Sequence, residues 1–315
     1  MKIVLLESLG ISEESLQRRI APLVRAGHVF EVYSRTTDPE RLVQECDGAQ
    51  AVLLANMPFP DGVIDRCQDL RFIDIAFTGV DHVGLDAARK KGITVSNASG
   101  YSTTAVAELT VCMMLSLLRN VSAVQTRCRT GQTKDGLVGS ELAGKTVGIV
   151  GTGAIGLRVA ELCHAFGCEI IAFSRTQRPE APDYVRYVPL DALMALSDVV
   201  TLHCPLTEQT RGLINEQRLS LMKPGALLIN AARGGVVDTQ ALADALISGR
   251  LGGAGVDVFD VEPPLPEDHP LLHTPNTLVT PHVAFATVQS MELRADIVFD
   301  NLMQWMNGHP VRQIL

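Results

Sequence analysis

Residues Thr146-Val147-Gly148-Ile149-Val150 have the pattern of a buried strand. They run directly into Gly151-Thr152-Gly153-Ala154-Ile155-Gly156 and then into a helical stretch from Leu157 to Phe166. A glycine-rich turn between a parallel strand and a helix sets backbone amides, and the positive end of the helix dipole, where a pyrophosphate can sit. Gly151 permits the tight turn, Gly153 lets phosphates approach the backbone, and Gly156 lets the helix pack closely on the strand. Ala154 and Ile155, inside the motif, are cofactor-binding candidates with the glycines. A lone glycine motif is weak evidence; flanked by a strand and a helix it marks a dinucleotide site, with an ordinary βα turn as the alternative.

The rest of the chain alternates short β-branched runs with helical stretches, which predicts parallel sheets with crossover helices. Strands are expected at 3–6, 29–33, 51–55, 72–76 and 94–96, and helices at 13–25, 39–46, 60–67 and 86–91. A long apolar helix from Thr103 to about Arg127 and an irregular linker at 129–140 lead to a second series, with strands at 146–150, 169–173, 199–203, 226–230, 255–258 and 278–280. A last helix covers 287–306 and holds the single Trp, Trp305. The 315 residues suit two domains. The expected fold class is α/β, with two Rossmann-like domains of doubly wound parallel sheets and a cleft between them. A flavodoxin-like substrate-binding domain takes residues 1–99 and 287–315, and an NAD(P)-binding Rossmann domain takes 100–286.

Composition excludes several classes of function. With 27 Lys+Arg against 35 Asp+Glu the net charge is −8, and aromatics are 4 %. Neither suits a nucleic-acid binder, which needs a basic surface or stacking platforms. The first apolar run stops at Glu7, unlike a signal peptide, and the run Val111–Leu118 is far too short for a membrane span. Seven cysteines without a Cys-x-x-Cys pair read as reduced, mostly packed thiols in a cytoplasmic protein, and no metal constellation is present.

The end of the second strand of a dinucleotide fold selects the cofactor. An NAD site places Asp or Glu there. Here the strand ends in Ser174-Arg175-Thr176, with Arg178 beyond. A hydroxyl and guanidiniums suit a 2′-phosphate, so NADP is the expected cofactor, ahead of NAD. Further on, Asn230–Gly235, Gly255–Pro263 and Thr280–Ala284 fall at strand ends on the same side of the sheet. His282 beside Glu262 is a candidate general acid, and Arg233 can hold a carboxylate or polarise a carbonyl. With a dihydronicotinamide these groups would reduce a 2-oxo acid. The plainer alternatives are a structural ion pair for Arg233 and capping or solvated carboxylates for Asp257 and Glu262. His28, His82, His164, His269, His273 and His309 read as surface or packing residues.

These residues, with Leu202–Thr207, Met222–Ala226 and Asn230–Asp238, resemble the D-isomer-specific 2-hydroxyacid dehydrogenases over nearly the whole chain. The resemblance implies that Arg233 binds the substrate's carboxylate and oxo group, that His282 is the acid/base, and that Glu262 pairs with it. It implies that Asp257 lies near the nicotinamide carboxamide. Thr104, His203, Cys204 and Pro205 line the cofactor, His203 without chemistry of its own. The amides of Thr78, Gly79 and Val80 match the family's carboxylate-binding turn, although Phe77 stands where a first glycine is common. Met57 and Phe59 suit a small or partly apolar substrate, glyoxylate or hydroxypyruvate, better than a phosphorylated one. D-3-phosphoglycerate dehydrogenase and a nucleotide-sensing protein of the same fold are the alternatives. The related formate dehydrogenases carry Gln where this chain has Glu262. A homodimer is expected through helix 103–127, although the linker lacks the Trp of many dimeric members.

Overall fold

The computed structural model describes residues 1–261 and 264–315. The chain divides into two compact units, Met1–Ser102 with Ala286–Leu315, and Thr103–Phe285.

The first unit begins β1 (Lys2–Leu5), α1 (Glu13–Arg25), β2 (Val29–Val32), α2 (Pro39–Glu45), β3 (Ala51–Leu54), α3 (Asp61–Ile64), β4 (Phe72–Ile75), α4 (Leu85–Lys91) and β5 (Thr94–Asn97). The strands form one parallel sheet in the order β2-β1-β3-β4-β5. Every residue of β3 and β4 is buried, as continuous apolar strands require when helices cover both faces. Helix α3 is shorter than the sequence predicts. The Lys91 ammonium reaches back to the Ile64, Asp65 and Cys67 carbonyls at 2.9, 3.1 and 2.7 Å, satisfying acceptors at its frayed end.

The second unit holds α5 (Thr103–Leu118), α6 (Val121–Arg129), β6 (Thr146–Val150), α7 (Ala154–Ala165), β7 (Glu169–Phe173), β8 (Val185–Tyr187), α8 (Leu190–Leu196), β9 (Val199–Leu202), α9 (Glu216–Leu221), β10 (Leu227–Asn230), α10 (Thr239–Ile247), β11 (Gly253–Val256) and β12 (Thr277–Val279). Its parallel sheet runs β12-β11-β10-β9-β6-β7-β8. Strand order reverses between β6 and β9, the switch point at which such sheets bind ligands. Alternate residues of β6 enter opposite cores. Val147 and Ile149 pack with Met113 and Met114 of α5 and Val159 of α7, while Val150 packs with Leu193, Leu219 and Leu242 of the other layer.

The single helix expected from Thr103 to Arg127 is two helices bent by 61°, because Asn120 takes the left-handed conformation at φ 53°. Among the described residues, no single helix is long and apolar enough to cross a membrane. The chain then returns to the first unit as α11 (Val288–Met306), opened by a capping box between Thr287 and Ser290. Trp305 stacks on Phe72 of β4 with centroids 4.8 Å apart. The C-terminal residues close the β5 edge, with Ile314 N donating to Val95 O at 2.7 Å.

Candidate active site

The glycine turn at the head of α7 is fixed by backbone crowding. Gly151 has φ +100°, and a Cβ there would lie 2.7 Å from the His203 carbonyl; one on Gly156 would lie 2.0 Å from the Gly151 oxygen. Gly153 meets nothing within 4 Å and faces open space. Helices α9 and α10 are capped by the side chains of Asn215 and Asp238, but α7 starts at Ala154, after Gly153 at its cap position, with no side-chain acceptor among the described residues. The first-turn amides of Ala154, Ile155 and Gly156 are therefore left for an anion, so the residues present fit a dinucleotide pyrophosphate. Sequence reading missed Tyr187 of β8. Its hydroxyl donates to Thr152 Oγ1 at 2.9 Å and accepts from Arg178 N at 3.3 Å, tying the glycine turn to the loop after β7.

That loop carries half-buried Ser174 and exposed Arg175 and Thr176. Arg178 reaches Glu180 at 3.4 Å, and the Arg175 guanidinium has no hydrogen-bond or ion-pair partner among the described residues. After β9, the His203 amide donates to Val150 O at 2.7 Å, and its Nε2 meets Thr201 Oγ1 at 2.9 Å. Burial holds its pKa down at about 3, so this imidazole stays neutral at working pH. Burial likewise pushes the Cys204 thiol up to about 11, keeping it protonated. Pro205 and Thr104 are exposed. His164 stacks on Tyr184 at 3.9 Å, and buried His269 packs edge-on to Phe259 with Asp260 Oδ1 3.2 Å from its Nε2.

The described parts of the three candidate segments meet at the carboxyl ends of β10, β11 and β12. Asp257 N donates to Asn230 O at 2.9 Å, and His282 N donates to Asp257 O at 2.8 Å. Asn230 Nδ2 holds the Arg233 carbonyl at 3.0 Å, and Arg233 Nη1 donates to Ala232 O at 2.8 Å. Gly234 is required beneath this turn, since a Cβ would lie 1.8 Å from the Phe259 carbonyl carbon. His282 has φ +54°, a conformation that a non-glycine residue holds only when its surroundings over-determine it. Asp257 does so. Its carboxylate accepts from the Thr280 hydroxyl at 2.6 Å and from the amides of Val283 and Ala284 at 2.9 Å each. Neither of the plainer readings of Asp257 survives, because the residue is 0 % exposed and braces a loop instead of capping a helix. The His282 ring is half-buried and edge-on to Phe285, with centroids 5.7 Å apart. Glu262 lies outside the described residues.

In the first unit, Thr78 is exposed and Gly79 and Val80 are half-buried, between β4 and α4. Their neighbours are tied down: Phe77 N donates to Ile75 O at 2.7 Å and Val83 N to Val80 O at 3.1 Å. The three amides of 78–80 donate to no group among the described residues. Met57 and Phe59 correct an expectation. Both are fully buried core residues, because Glu7 Oε1 draws in the Ala55 and Met57 amides at 2.8 Å each and turns this loop toward the interior.

Parallel α/β units, one with a glycine turn at its switch point and a braced histidine at the same sheet end, define a nicotinamide-nucleotide oxidoreductase. Comparison with known proteins narrows this. Residues 111–284 match the family model of the D-isomer specific 2-hydroxyacid dehydrogenase NAD binding domain. A hydroxypyruvate reductase of Blautia hydrogenotrophica is 32 % identical, covering 100 % of this chain and 99 % of that protein. A glyoxylate reductase of Thermofilum pendens is 39 % identical over 78 % of this chain and 75 % of its own length. An acyclic imino acid reductase, solved in complex with NADPH and D-Arg, superposes with a TM-score of 0.91 at 27 % identity over the whole of both chains. The chain belongs to the D-isomer specific 2-hydroxyacid dehydrogenase family.

Proposed function

We propose that this enzyme reduces a small 2-oxo acid, glyoxylate or hydroxypyruvate in class, to the D-2-hydroxy acid, and that it prefers NADPH. The observation that carries the reading is the strained His282 turn, braced by Asp257 and linked through Asn230 to the Arg233 turn. The bound dihydronicotinamide supplies the hydride. His282 delivers a proton to the carbonyl oxygen, with Glu262 as its carboxylate partner. Arg233 holds the substrate's carboxylate and polarises its oxo group. In the first unit the amides of Thr78, Gly79 and Val80 are the carboxylate contacts, supported by their lack of acceptors among the described residues. Residues 1–99 with 287–315 then serve substrate binding and 100–286 cofactor binding.

The first-turn amides of α7 hold the pyrophosphate, with Thr104, His203, Cys204 and Pro205 along the rest of the cofactor and the fully buried Asp257 acting behind them on the His282 turn. Ser174, Arg175 and Thr176 receive the 2′-phosphate. The Arg175 guanidinium, unpaired among the described residues, and the absence of a carboxylate between Phe173 and Arg178 support NADP over NAD. A homodimer forms across the outer face of α5, α6 and α7, where Val111, Leu115, Val121, Leu162 and Phe166 line a groove of about 490 Å³. The seven free cysteines suit the reducing cytoplasm.

Absorbance at 340 nm with glyoxylate, hydroxypyruvate, pyruvate and 3-phosphohydroxypyruvate tests the reaction. Turnover of the two smallest hydroxylated or aldehydic acids is expected. No turnover of any 2-oxo acid would favour a nucleotide-sensing protein. A lower KM for NADH than for NADPH would overturn the cofactor assignment, and sedimentation showing only the 33.9 kDa monomer would remove the dimer.

A further inference from the structure

The 78–80 turn is held from behind by two buried amides. Asn97, the last residue of β5, donates from Nδ2 to the Thr78 carbonyl at 2.8 Å, and its Oδ1 accepts from Ser99 N at 3.3 Å. Its backbone carbonyl accepts from Asn301 Nδ2 at 3.0 Å, and its backbone N donates to Arg312 O at 3.2 Å. Asn301 lies on α11 with no exposed surface. The same Nδ2 donates to Asp74 Oδ1 at 2.9 Å, while its oxygen accepts from Arg312 Nη1 at 2.8 Å. Arg312 is fixed in turn by Asp300 Oδ2 at 2.8 Å. Both asparagines thus have a partner for each side-chain group, the condition under which a buried polar network imposes one geometry instead of costing stability.

The consequence lies in the peptide plane. The carbonyl of Thr78 and the N–H of Gly79 belong to one planar trans unit and point in opposite directions. Pinning the carbonyl onto Asn97 therefore turns the Gly79 N–H away from Asn97 and fixes its direction. Without that bond the Thr78–Gly79 peptide can rotate, because glycine on one side opposes little of the motion.

We propose that Asn97, itself locked by Asn301 of α11, is a positioning residue that aims the Gly79 amide at the substrate carboxylate. This rests on the reading of the 78–80 amides as carboxylate contacts. The last helix and the Arg312 tail, far along the chain from the turn, then set substrate affinity without touching substrate. An amide misaligned toward an anion forfeits most of one charge-assisted hydrogen bond, which sets the expected effect near ten-fold.

The experiment compares Asn97→Ala, Asn97→Asp, Asn301→Ala, the Asn97→Ala/Asn301→Ala pair and Val80→Pro as full-length proteins. Readouts are KM for glyoxylate, inhibition by the unreactive 2-oxo carboxylate oxamate, kcat, NADPH affinity by fluorescence, and thermal midpoint. Asn97→Ala is expected to raise KM and the oxamate inhibition constant about ten-fold, to change kcat less than three-fold, and to leave NADPH affinity unchanged. Asn97→Asp, which keeps the shape but loses the donor, should do at least as much. Asn301→Ala should shift the same two constants less, and the double variant should match Asn97→Ala alone, since the two act in series. Unchanged KM and oxamate binding in both Asn97 variants would overturn the proposal, as would parallel losses of kcat, KM and NADPH affinity, which mark a merely structural residue. Val80→Pro removes one amide donor directly. If it leaves KM unchanged, the carboxylate reading itself is wrong; if it raises KM while the Asn97 variants do not, only the positioning role fails.

Discussion

Asp74 gives a prediction whose size follows from its surroundings. It sits in the middle of β4, between β3 and β5, with no exposed surface. Burial raises its pKa to about 8, against the lowering influence of the Asn301 amide and Arg312 and with a smaller push upward from Asp300. Oδ2 has no hydrogen-bond partner among the described residues, so nothing there compensates a second half of a carboxylate charge. In the unfolded chain the group titrates near ~3.9. Between about pH 4 and pH 8 the folded protein therefore keeps a proton that the unfolded chain has released. The stability this contributes is complete below about pH 4 and is lost as pH rises, at about 1.4 kcal/mol per unit, until it levels off above pH 8. From pH 5 to pH 8 the loss amounts to about 3–4 kcal/mol.

Asp74→Asn keeps an oxygen for Asn301 and cannot ionise, so its stability should lack this fall. The natural probe is Trp305, the only tryptophan, stacked on Phe72 of the same strand and so reporting on the first unit alone. Urea titrations followed by its fluorescence at pH 5, 6, 7 and 8 should show the variant gaining on the parent steadily. For a slope of about 2 kcal/mol/M the midpoints should separate by close to 2 M over that range. Curves that stay parallel within ~0.5 kcal/mol would mean that Asp74 is ionised in the folded protein, and the argument from burial would be wrong.

Other outcomes follow from the second unit. His282→Ala should lower kcat by about a hundred-fold or more while NADPH affinity holds; equal loss of cofactor binding would show that its role is misplaced. Arg233→Lys should mainly raise KM, because an ammonium loses the planar fork; a fall in kcat alone would refute a ground-state contact. Gly234→Ala forces a Cβ into the Phe259 backbone and should lower both the thermal midpoint and kcat/KM, whereas an unchanged midpoint would mean the turn relaxes freely. Arg175→Ala should raise KM for NADPH and leave KM for NADH alone; parallel changes would dissociate this arginine from the 2′-phosphate.

The elements most legible in the sequence are those where a local pattern agrees with packing. Strands such as Ala51–Leu54 and Val199–Leu202 are unbroken apolar runs, and the glycine turn announces both its strand and its helix. Strand β11 was misplaced by two residues, because Gly253-Ala254-Gly255-Val256 has poor strand propensity and the β-branched residues lie just beyond. Its glycines serve close packing: a Cβ on Gly255 would come within 3.0 Å of the Met113 Cβ on α5. The split at Asn120 was hidden by apolar periodicity on both sides, and β8 by being three residues long. Within the site, Arg233 and His282 stand out by motif, but the work of Asp257 and Tyr187 does not, since their partners come from the loops that follow other strands.

By itself the sequence determined the alternation of strands and helices, the pyrophosphate turn, the lack of a carboxylate at the β7 end, and the family. Each of these is written within one segment of chain. Only the tertiary structure decided that Asp257 holds His282 in a left-handed turn, that Met57 and Phe59 belong to the core, and that Asn301 reaches Asn97 and Asp74 across more than two hundred residues. Burial and hydrogen-bond direction are properties of groups brought together by folding, and no local pattern encodes them.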